Sequence, residues 1–515
     1  MRWRLLIAAL IAGLGLTFAG VRALQTVEVS GVVLDKATAQ PVAGATVRQQ
    51  TTANATTSGP DGTFTLGGLT EGVSVTITAW HEGYHPAGVE VVPPATGVVI
   101  SLTLHPTGDN PDYEWLTSMP DPENPIGCGH CMVAFPQWVN NAHAQSAVNP
   151  RFFSIYNGTD TTGQPNVPPG YKLDFPNTAG NCANCHAPGA AANEPFTADM
   201  NELEGVETEG VFCDFCHKIG YAYLDPTTGL PYPNVPGVMS VRLYRPPPDT
   251  HMFFGPFDDV TRRVSYLELE KKSQFCAPCH QFSFWGTPIY ESFREWLESP
   301  YPGMGIECQT CHMAPTGVNY FVYPEKGGLI RDPDLIASHL QPGASDVELL
   351  QNTVSMTVTA ELVVDRVQVT VTITNTGAGH HVPTDFPGRH MILVVSAADG
   401  QGQPLPLQSG STVPDWGGDL AGQPGKAFAK VLRDLNSGEE PTVAYWNPTI
   451  VVSDNRIPAF GADTSVYEFA APPTGTVNVE ATLIFRRAFW ELMQAKRWDT
   501  PDVVMEQEME SIVIP

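Results

Sequence analysis

Basic residues are scarce in this chain of 515 residues: 27 Lys and Arg stand against 54 Asp and Glu, a formal net charge of −27. A chain so acidic lacks the clustered cations that a phosphate backbone requires, and nucleic-acid binding is excluded. Beyond the first two dozen residues no uninterrupted apolar run approaches the length of a membrane span. No motif recurs at intervals of 20 to 50 residues across the chain, which removes solenoid and propeller architectures. None of the ten cysteines is left over for a scattered disulfide framework, because all ten fall in five Cys-x-x-Cys pairs. Glycine and proline, by contrast, are plentiful at 47 each, so turns and loops should occupy much of the chain. At about 150 residues per domain, the length suggests roughly three domains.

At the N-terminus Arg2 and Arg4 precede a charge-free apolar run from Leu5 to Ala19, and Val21-Arg22-Ala23 follows. A charged start, an apolar stretch and a small-residue site read as a secretory signal over residues 1–23, cleaved near Ala23. Left uncleaved, the same run is close to spanning length and would be the one source of membrane association. Either way the bulk of the protein is expected outside the cytoplasm, in the periplasm or the extracellular space.

Three regions follow. Residues 27–106 alternate: Val27 and Val29, then Val73, Val75 and Ile77, then Val98, Ile100, Leu102 and Leu104. With the turn signals Gly59-Pro60-Asp61-Gly62 and Gly67-Gly68, this predicts a small β-sandwich. Residues 109–343 hold every cysteine and eight of the fourteen histidines. Stretches such as Pro246-Pro247-Pro248 break any long period there, so something other than side chains is expected to supply the core. The exception is Ile289 to Leu297, where Ile289, Phe293, Trp296 and Leu297 share one helical face. Alternation returns over residues 352–515, at Val354, Met356 and Val358 and at Val367, Val369, Val371 and Ile373, with further strands expected at Met391–Val395 and Val477–Phe485. The predicted fold class is therefore multidomain: a β-sandwich, a loop-rich and mainly α middle, and a second β-sandwich.

Four cysteine pairs are followed at once by histidine: Cys182 and Cys185 by His186, Cys213 and Cys216 by His217, Cys276 and Cys279 by His280, and Cys308 and Cys311 by His312. Two thiols three residues apart can form thioethers with the two vinyl groups of one haem, and the next residue then reaches the iron; Cys-x-x-Cys-His is the attachment signature of haem c. Four pairs could also build two zinc ribbons. Zinc ribbons do not need the trailing histidine, however, and histidine is only 14 of 515 residues. Four chance placements have a probability of about five in ten million, so haem is favoured. The fifth pair departs from the pattern: Cys128 and Cys131 enclose His130 and precede Met132. Methionine sulfur can ligate haem iron, which favours a fifth haem there. The other reading of this pair is a haem-free disulfide. The expected cofactor content is four haems c, and five with this pair.

Two resemblances add to this. Ser30-Gly31-Val32-Val33, Pro41-Val42-Ala43-Gly44-Ala45-Thr46-Val47 and Asp61-Gly62-Thr63-Phe64 resemble carboxypeptidase regulatory-like domains, which implies an adhesive or spacing module. Trp138 with His143-Ala144, Asn149-Pro150, Gly210-Val211-Phe212-Cys213, and the run Tyr290, Phe293, Glu295-Trp296, Ser299 before Cys308 are similar to multihaem c-type cytochromes. The closest group looks like the tetrahaem cytochrome of hydroxylamine oxidation and the related extracellular cytochrome filaments. The motif Asn375-Thr376-Gly377-Ala378-Gly379-His380, followed by Val382-Pro383-Thr384, belongs to the same resemblance. It implies that His380, in the C-terminal β-region, is an axial iron ligand, with His381 as its substitute. It also offers His143, His251 and His339 as further second ligands. No pairing of these four with the four regular motifs follows from sequence. Where relatives carry another histidine before the third regular motif, this chain has Glu270-Lys271-Lys272.

The expected function is electron transfer through closely packed haems, without catalysis. Redox proteins with cationic docking surfaces are the expected partners. The alternatives are a multihaem reductase of small nitrogen or sulfur compounds, and a homo-oligomer forming a conductive filament.

Overall fold

Alternating apolar residues build sheets at both ends of the chain, and the cysteine region between them is organised differently. The computed structural model describes residues 26–120, 128–248, 250–262 and 264–515. The expected signal segment, residues 1–23, lies outside the described residues. Among the described residues no helix is long and apolar enough to cross a membrane. Contacts divide the chain into a first unit that ends at His81 and resumes over Pro86–Thr103, and a second made of Glu82–His85 and Leu104–Pro515.

In the first unit the strand Thr26–Asp35 runs antiparallel to Thr63–Thr70 and parallel to Ala95–Leu104, with Val32 opposite Thr63 and Val33 opposite Ile100. A second sheet has the order Ala55–Thr57, Thr46–Gln49, Val75–Trp80, Ala87–Val91. The period of two sends Val29, Val33, Leu66, Ile77 and Ile100 to the interior. Gly31 permits the close approach of the parallel pair, since a Cβ there would lie 2.0 Å from the Val98 carbonyl oxygen. This is the sandwich-like region expected from the alternation.

Within the second unit the cysteine region is loop-rich rather than mainly α. Its longest α-helix, Pro150–Asn157, has eight residues, with proline at its start, the Asn149 side chain accepting from the Arg151 and Phe152 amides, and Gly158 ending it at φ 67°. The other helices are shorter, and two-stranded pairings such as Ile219–Ala222 with Val241–Leu243 lie among them. Proline soon after several of these helices, as at Pro176 and Pro300, helps to keep them short. The stretch Ile289–Leu297 is likewise divided. Ile289 belongs to the strand Thr287–Tyr290, and the helix begins at Ser292 because the Asp385 carboxylate accepts from the amides of Glu291 and Ser292, both at 3.1 Å. Phe293 and Trp296 are buried as expected.

The C-terminal region carries two antiparallel four-stranded sheets. One has the order Val354–Val363, Arg366–Asn375, Ala462–Ala470, Leu407–Ser409; the other has Gly425–Phe428, His390–Asp399, Gly475–Arg486, Val503–Ile514. Val367, Val369, Val371 and Ile373 from the first share a core with Met391, Leu393, Val395 and Leu483 from the second. The expected strands Met391–Val395 and Val477–Phe485 lie inside the second sheet.

A buried lysine joins this region to the helix Pro150–Asn157. Lys496, fully buried, directs its ammonium to the carbonyl oxygens of Ser154, Thr159, Val167 and Pro169 at 2.9, 3.0, 2.5 and 2.7 Å. Three N–H donors serve four acceptors, so no water is needed there. Around them Ile155 packs with Trp446, Phe489 and Trp498. Replacing Lys496 by Met should orphan these carbonyls and lower unfolding stability by about 3 kcal/mol, read from chemical denaturation; a loss below about 0.5 kcal/mol would contradict this assignment.

Candidate functional site

Each regular motif winds into a single helical turn: Ala183–His186, Cys213–Cys216, Ala277–His280 and Cys308–His312. One turn places residues i and i+3 on the same side, so the two sulfurs of each pair are neighbours. The irregular pair starts a 3-10 turn, Cys128–His130. None of the ten cysteines is paired in a disulfide, Cys128 and Cys131 included. Sulfurs of different motifs lie near one another: Cys128 with Cys213, Cys185 with Cys279, and Cys276 with Cys308.

Short polar clips hold the turns in this order. Ser118 Oγ accepts from the Cys213 amide, while the Ser118 amide donates to Glu209 at 2.7 Å. Ser146 Oγ lies 2.8 Å from the His143 carbonyl and 2.7 Å from that of His186. Glu307 accepts from the Ser273 amide and hydroxyl, and Ser273 Oγ accepts from the Cys308 amide.

The motifs surround one cavity of about 1550 Å³, larger than the roughly 300–1,000 Å³ of a pocket for one small ligand. Its walls are mostly apolar and aromatic. Four cysteine pairs line it (Cys128/Cys131, Cys182/Cys185, Cys213/Cys216 and Cys276/Cys279), together with Met132 and His143, His186, His217, His251, His280 and His339. Cys308, Cys311, His312 and His380 are not on this wall, although Glu307, Gln309 and Met313 beside them are.

Outside the cysteine pairs, the histidines fall into facing sets. His312 and His380 have ring centroids 6.5 Å apart and planes within 15°. His217 and His339 are 6.5 Å apart at 36°, and His143 and His280 are 6.2 Å apart at 86°. Two imidazoles bound through Nε2 to opposite sides of one metal ion, at about 2.0–2.1 Å each, would have centroids about 6.4 Å apart. All three separations fit one ion held between two rings. His186 instead stacks on Phe152, with centroids 4.2 Å apart.

Hydrogen bonds at Nδ1 point the same way. Nδ1 of His143 meets Gln341 Oε1 at 2.7 Å, that of His217 the Phe254 carbonyl at 2.8 Å, that of His312 the Pro342 carbonyl at 2.7 Å, and that of His380 the His381 carbonyl at 2.9 Å. An imidazole that donates through Nδ1 carries its free lone pair on Nε2, the arrangement of metal-bound histidine. In His339 the buried Nδ1 has no hydrogen-bond partner. Burial pulls the pKa of His143, His186 and His339 down to about 4, so these rings are neutral at pH 7. Burial also works to lower His217 and His280, but the carboxylates of Glu270 and Asp385 outweigh it and raise both to about 9. Glu270, standing where a histidine was looked for, is 3.3 Å from His217 Nδ1.

The segment carrying His380 is held from both sides. The buried Asn375 side chain donates to the His380 carbonyl at 2.8 Å and accepts from the Ala378 amide at 3.0 Å. A Cβ on Gly377 would lie 2.1 Å from the Asn352 carbonyl oxygen, and one on Gly379 3.1 Å from the Tyr301 ring. On the helix Ser292–Leu297, Glu295 accepts from the His381 amide at 3.1 Å and the Thr384 hydroxyl at 2.6 Å. The His381 ring lies 3.6 Å from the same carboxylate. Asp385 completes the segment, 3.5 Å from His280 Nδ1. His390 packs between Trp416 and Phe489 in the sandwich interior, a structural place. Sequence reasoning missed Asp385, Gln341 and the anchoring role of Glu295. A carboxylate five residues after His380 was the visible signal for the first. Among the described residues no set of three or more His, Cys, Asp or Glu is gathered around a single point for a bare metal ion.

Residues 28–105 match the carboxypeptidase regulatory-like domain. Comparison with curated proteins gives no match. Among solved structures the chain is similar to a penta-haem cytochrome c552 from Thermochromatium tepidum, with a TM-score of 0.54 and 21% identity over 75% of this chain and 97% of that one. At that identity the likeness is one of fold, and the fold shared is that of a multihaem cytochrome c.

Proposed function

We propose that this chain is an exported multihaem c-type cytochrome that transfers electrons between redox partner proteins. The observation that carries this reading is the coincidence of three facing histidine pairs at 6.2–6.5 Å with Cys-x-x-Cys turns, two of those pairs and four of the five cysteine pairs lining one large apolar cavity. Cys182/Cys185, Cys213/Cys216, Cys276/Cys279 and Cys308/Cys311 would hold four haems by thioethers, with His186, His217, His280 and His312 as the first axial ligands. His339 would stand opposite His217, His143 opposite His280, and His380 opposite His312, leaving His251 as the remaining second ligand. Cys128/Cys131 with Met132 would hold a fifth.

Haem supplies a reversible one-electron couple, and axial ligand, hydrogen bonding and burial set its potential. The chain's own residues do the rest. Nδ1 acceptors hold the His143, His217, His280, His312 and His380 rings in place, the Asp385 and Glu270 carboxylates make the His280 and His217 rings stronger donors, and the aromatic walls exclude water. The sulfur neighbours Cys128–Cys213, Cys185–Cys279 and Cys276–Cys308 bring the first motif beside the third, the second beside the fourth and the fourth beside the fifth, the close packing that transfer between haems needs. The likeness to tetrahaem cytochromes of hydroxylamine oxidation and to cytochrome filaments belongs to this reading and rests on the Asn375–Thr384 segment. A reductase of small nitrogen or sulfur compounds is the competing reading, because Met132, 38% exposed on the cavity wall, marks a position without the usual histidine.

Intact mass and a pyridine haemochrome count on protein matured in a competent host should give at least four covalent haems. Fewer than four sinks the reading, and turnover of a nitrogen or sulfur compound replaces it by the reductase. Replacing His380 and His381 together by Ala should turn one low-spin haem high-spin in electron paramagnetic resonance. An unchanged spectrum would remove His380 from the ligand set.

A further inference from the structure

Arg151, Arg389 and Arg487 reach the same cavity wall without an ion pair, although the charge of Arg389 acts on the nearby Asp385 carboxylate. In the pairing of His390–Asp399 with Gly475–Arg486, His390 stands opposite Arg486. Arg389 and Arg487 therefore come one step beyond the last paired residues, from facing strand ends. Like charges in that relation are destabilising. Arg151 sits in the first turn of the helix Pro150–Asn157, the end at which the helix dipole disfavours a cation. All three side chains are partly buried. Burial, and then the charges of Arg151 and Arg389, pull the Arg487 pKa down to about 10.

The neighbouring Arg486 shows the contrast. It turns to the other face and is paired with Asp419 and Asp502, both at 2.7 Å. Among the described residues Arg151, Arg389 and Arg487 make no ion pair, and the polar contact of the Arg389 guanidinium is to the Thr384 carbonyl at 3.1 Å. Carboxylates are twice as common as basic residues in this chain. Asp385, the one carboxylate that feels Arg389, is engaged by His280 and by the Glu291 and Ser292 amides, so the three guanidinium groups make a receptor for an anion brought from elsewhere.

We infer that Arg151, Arg389 and Arg487 form a site for paired carboxylates, those being the propionates of the haem at Cys182 and Cys185. The inference rests on the haem reading above. The choice of haem follows from His186, whose ring stacks on Phe152, the residue next to Arg151. Planar guanidinium forks match carboxylates with two parallel hydrogen bonds, and three forks suit two carboxylates. A free oxyanion such as phosphate offers the same chemistry from another source.

The test compares the haem-loaded wild type with R487Q, R389Q and the charge-keeping R487K, by intact mass and by redox titration with and without inorganic phosphate. The expected result is an unchanged haem count, with one haem harder to reduce in both Gln variants by about tenfold in its reduction equilibrium, about 59 mV for one electron. R487K should stay near the wild type, and phosphate should move nothing in the wild type. Wild-type potentials that follow phosphate, and cease to in the Gln variants, would overturn the propionate source in favour of a free oxyanion. Unshifted potentials in both Gln variants without any phosphate effect overturn the site. Should R487Q not fold, R151Q takes its place in the same comparison. A mass without haem overturns the earlier reading instead. Thermal denaturation with phosphate then decides the site, a higher midpoint in the wild type but not in R487Q supporting it and no rise overturning it.

Discussion

The second unit depends on one buried carboxylate. Glu295, with a side chain 2% exposed, is paired with Arg456 at 2.6 Å while it holds the His381 amide and the Thr384 hydroxyl. A carboxylate taken out of water is costly unless a charge and hydrogen bonds replace the water, and here they do. Arg456 is shared in turn with Asp454 at 2.7 Å, and Glu291, one helical turn before Glu295, is paired with the buried Lys430 at 2.5 Å. Two carboxylates from the cysteine region thus meet two cations, Lys430 in the first strand of the pair Lys430–Asp434 and Thr449–Asp454 and Arg456 just after the second. Such a network contributes less to net stability than an apolar contact of equal area, but it tolerates only one register. That register sets His380 opposite His312 and Asp385 beside His280.

The cysteine region needs such devices because its helices are too short to persist alone. A single turn costs more in conformational entropy than its few hydrogen bonds return. What keeps the turns aligned is side chain to backbone bonding between motifs. Ser118 ties the Cys128 segment to the Cys213 turn, Ser146 joins the segments of His143 and His186, and Ser273 with Glu307 joins the last two motifs. Each clip uses a small hydroxyl: that of Ser118 accepts, that of Ser146 faces two carbonyls, and that of Ser273 both donates and accepts, so one serine ties two segments.

What was legible in the sequence follows from range. The two sheet-rich ends were readable because period-2 alternation is local, and Val367 to Ile373 alternate in the sequence as they do in the core. The four regular motifs were readable because the spacing of two thiols and an imidazole is itself the chemistry. The mainly α middle and the undivided helix at Ile289 were misread, since helix length was decided by prolines and by a carboxylate from far along the chain, Asp385. The facing of His143 with His280 could not be read at all. It depends on how loops return through space, and no local pattern encodes it. Gln341 illustrates the same point: an amide in a Pro-flanked loop carries no signal until it is seen bonded to His143.

The histidines also differ in a way that matters for direction of electron flow. His143, His186 and His339 are made neutral by burial, whereas His217 and His280 each have a carboxylate at Nδ1 that overcomes burial. In the proposed reading every ring would give its Nε2 lone pair to the iron, and the carboxylate would remain. A negative charge on the far nitrogen strengthens the ring as a donor and stabilises ferric iron. The haem at His280 would then lie at lower potential than one whose ring is backed by a carbonyl alone, as His312 is by Pro342. Cys276 of the His280 motif lies near Cys308 of the His312 motif. In that reading a lower-potential haem at His280 would adjoin a higher one at His312, and electrons reaching the first would have a downhill exit towards the second. The C-terminal region would supply both controls on that step, His380 as the opposing ring and Asp385 as the charge.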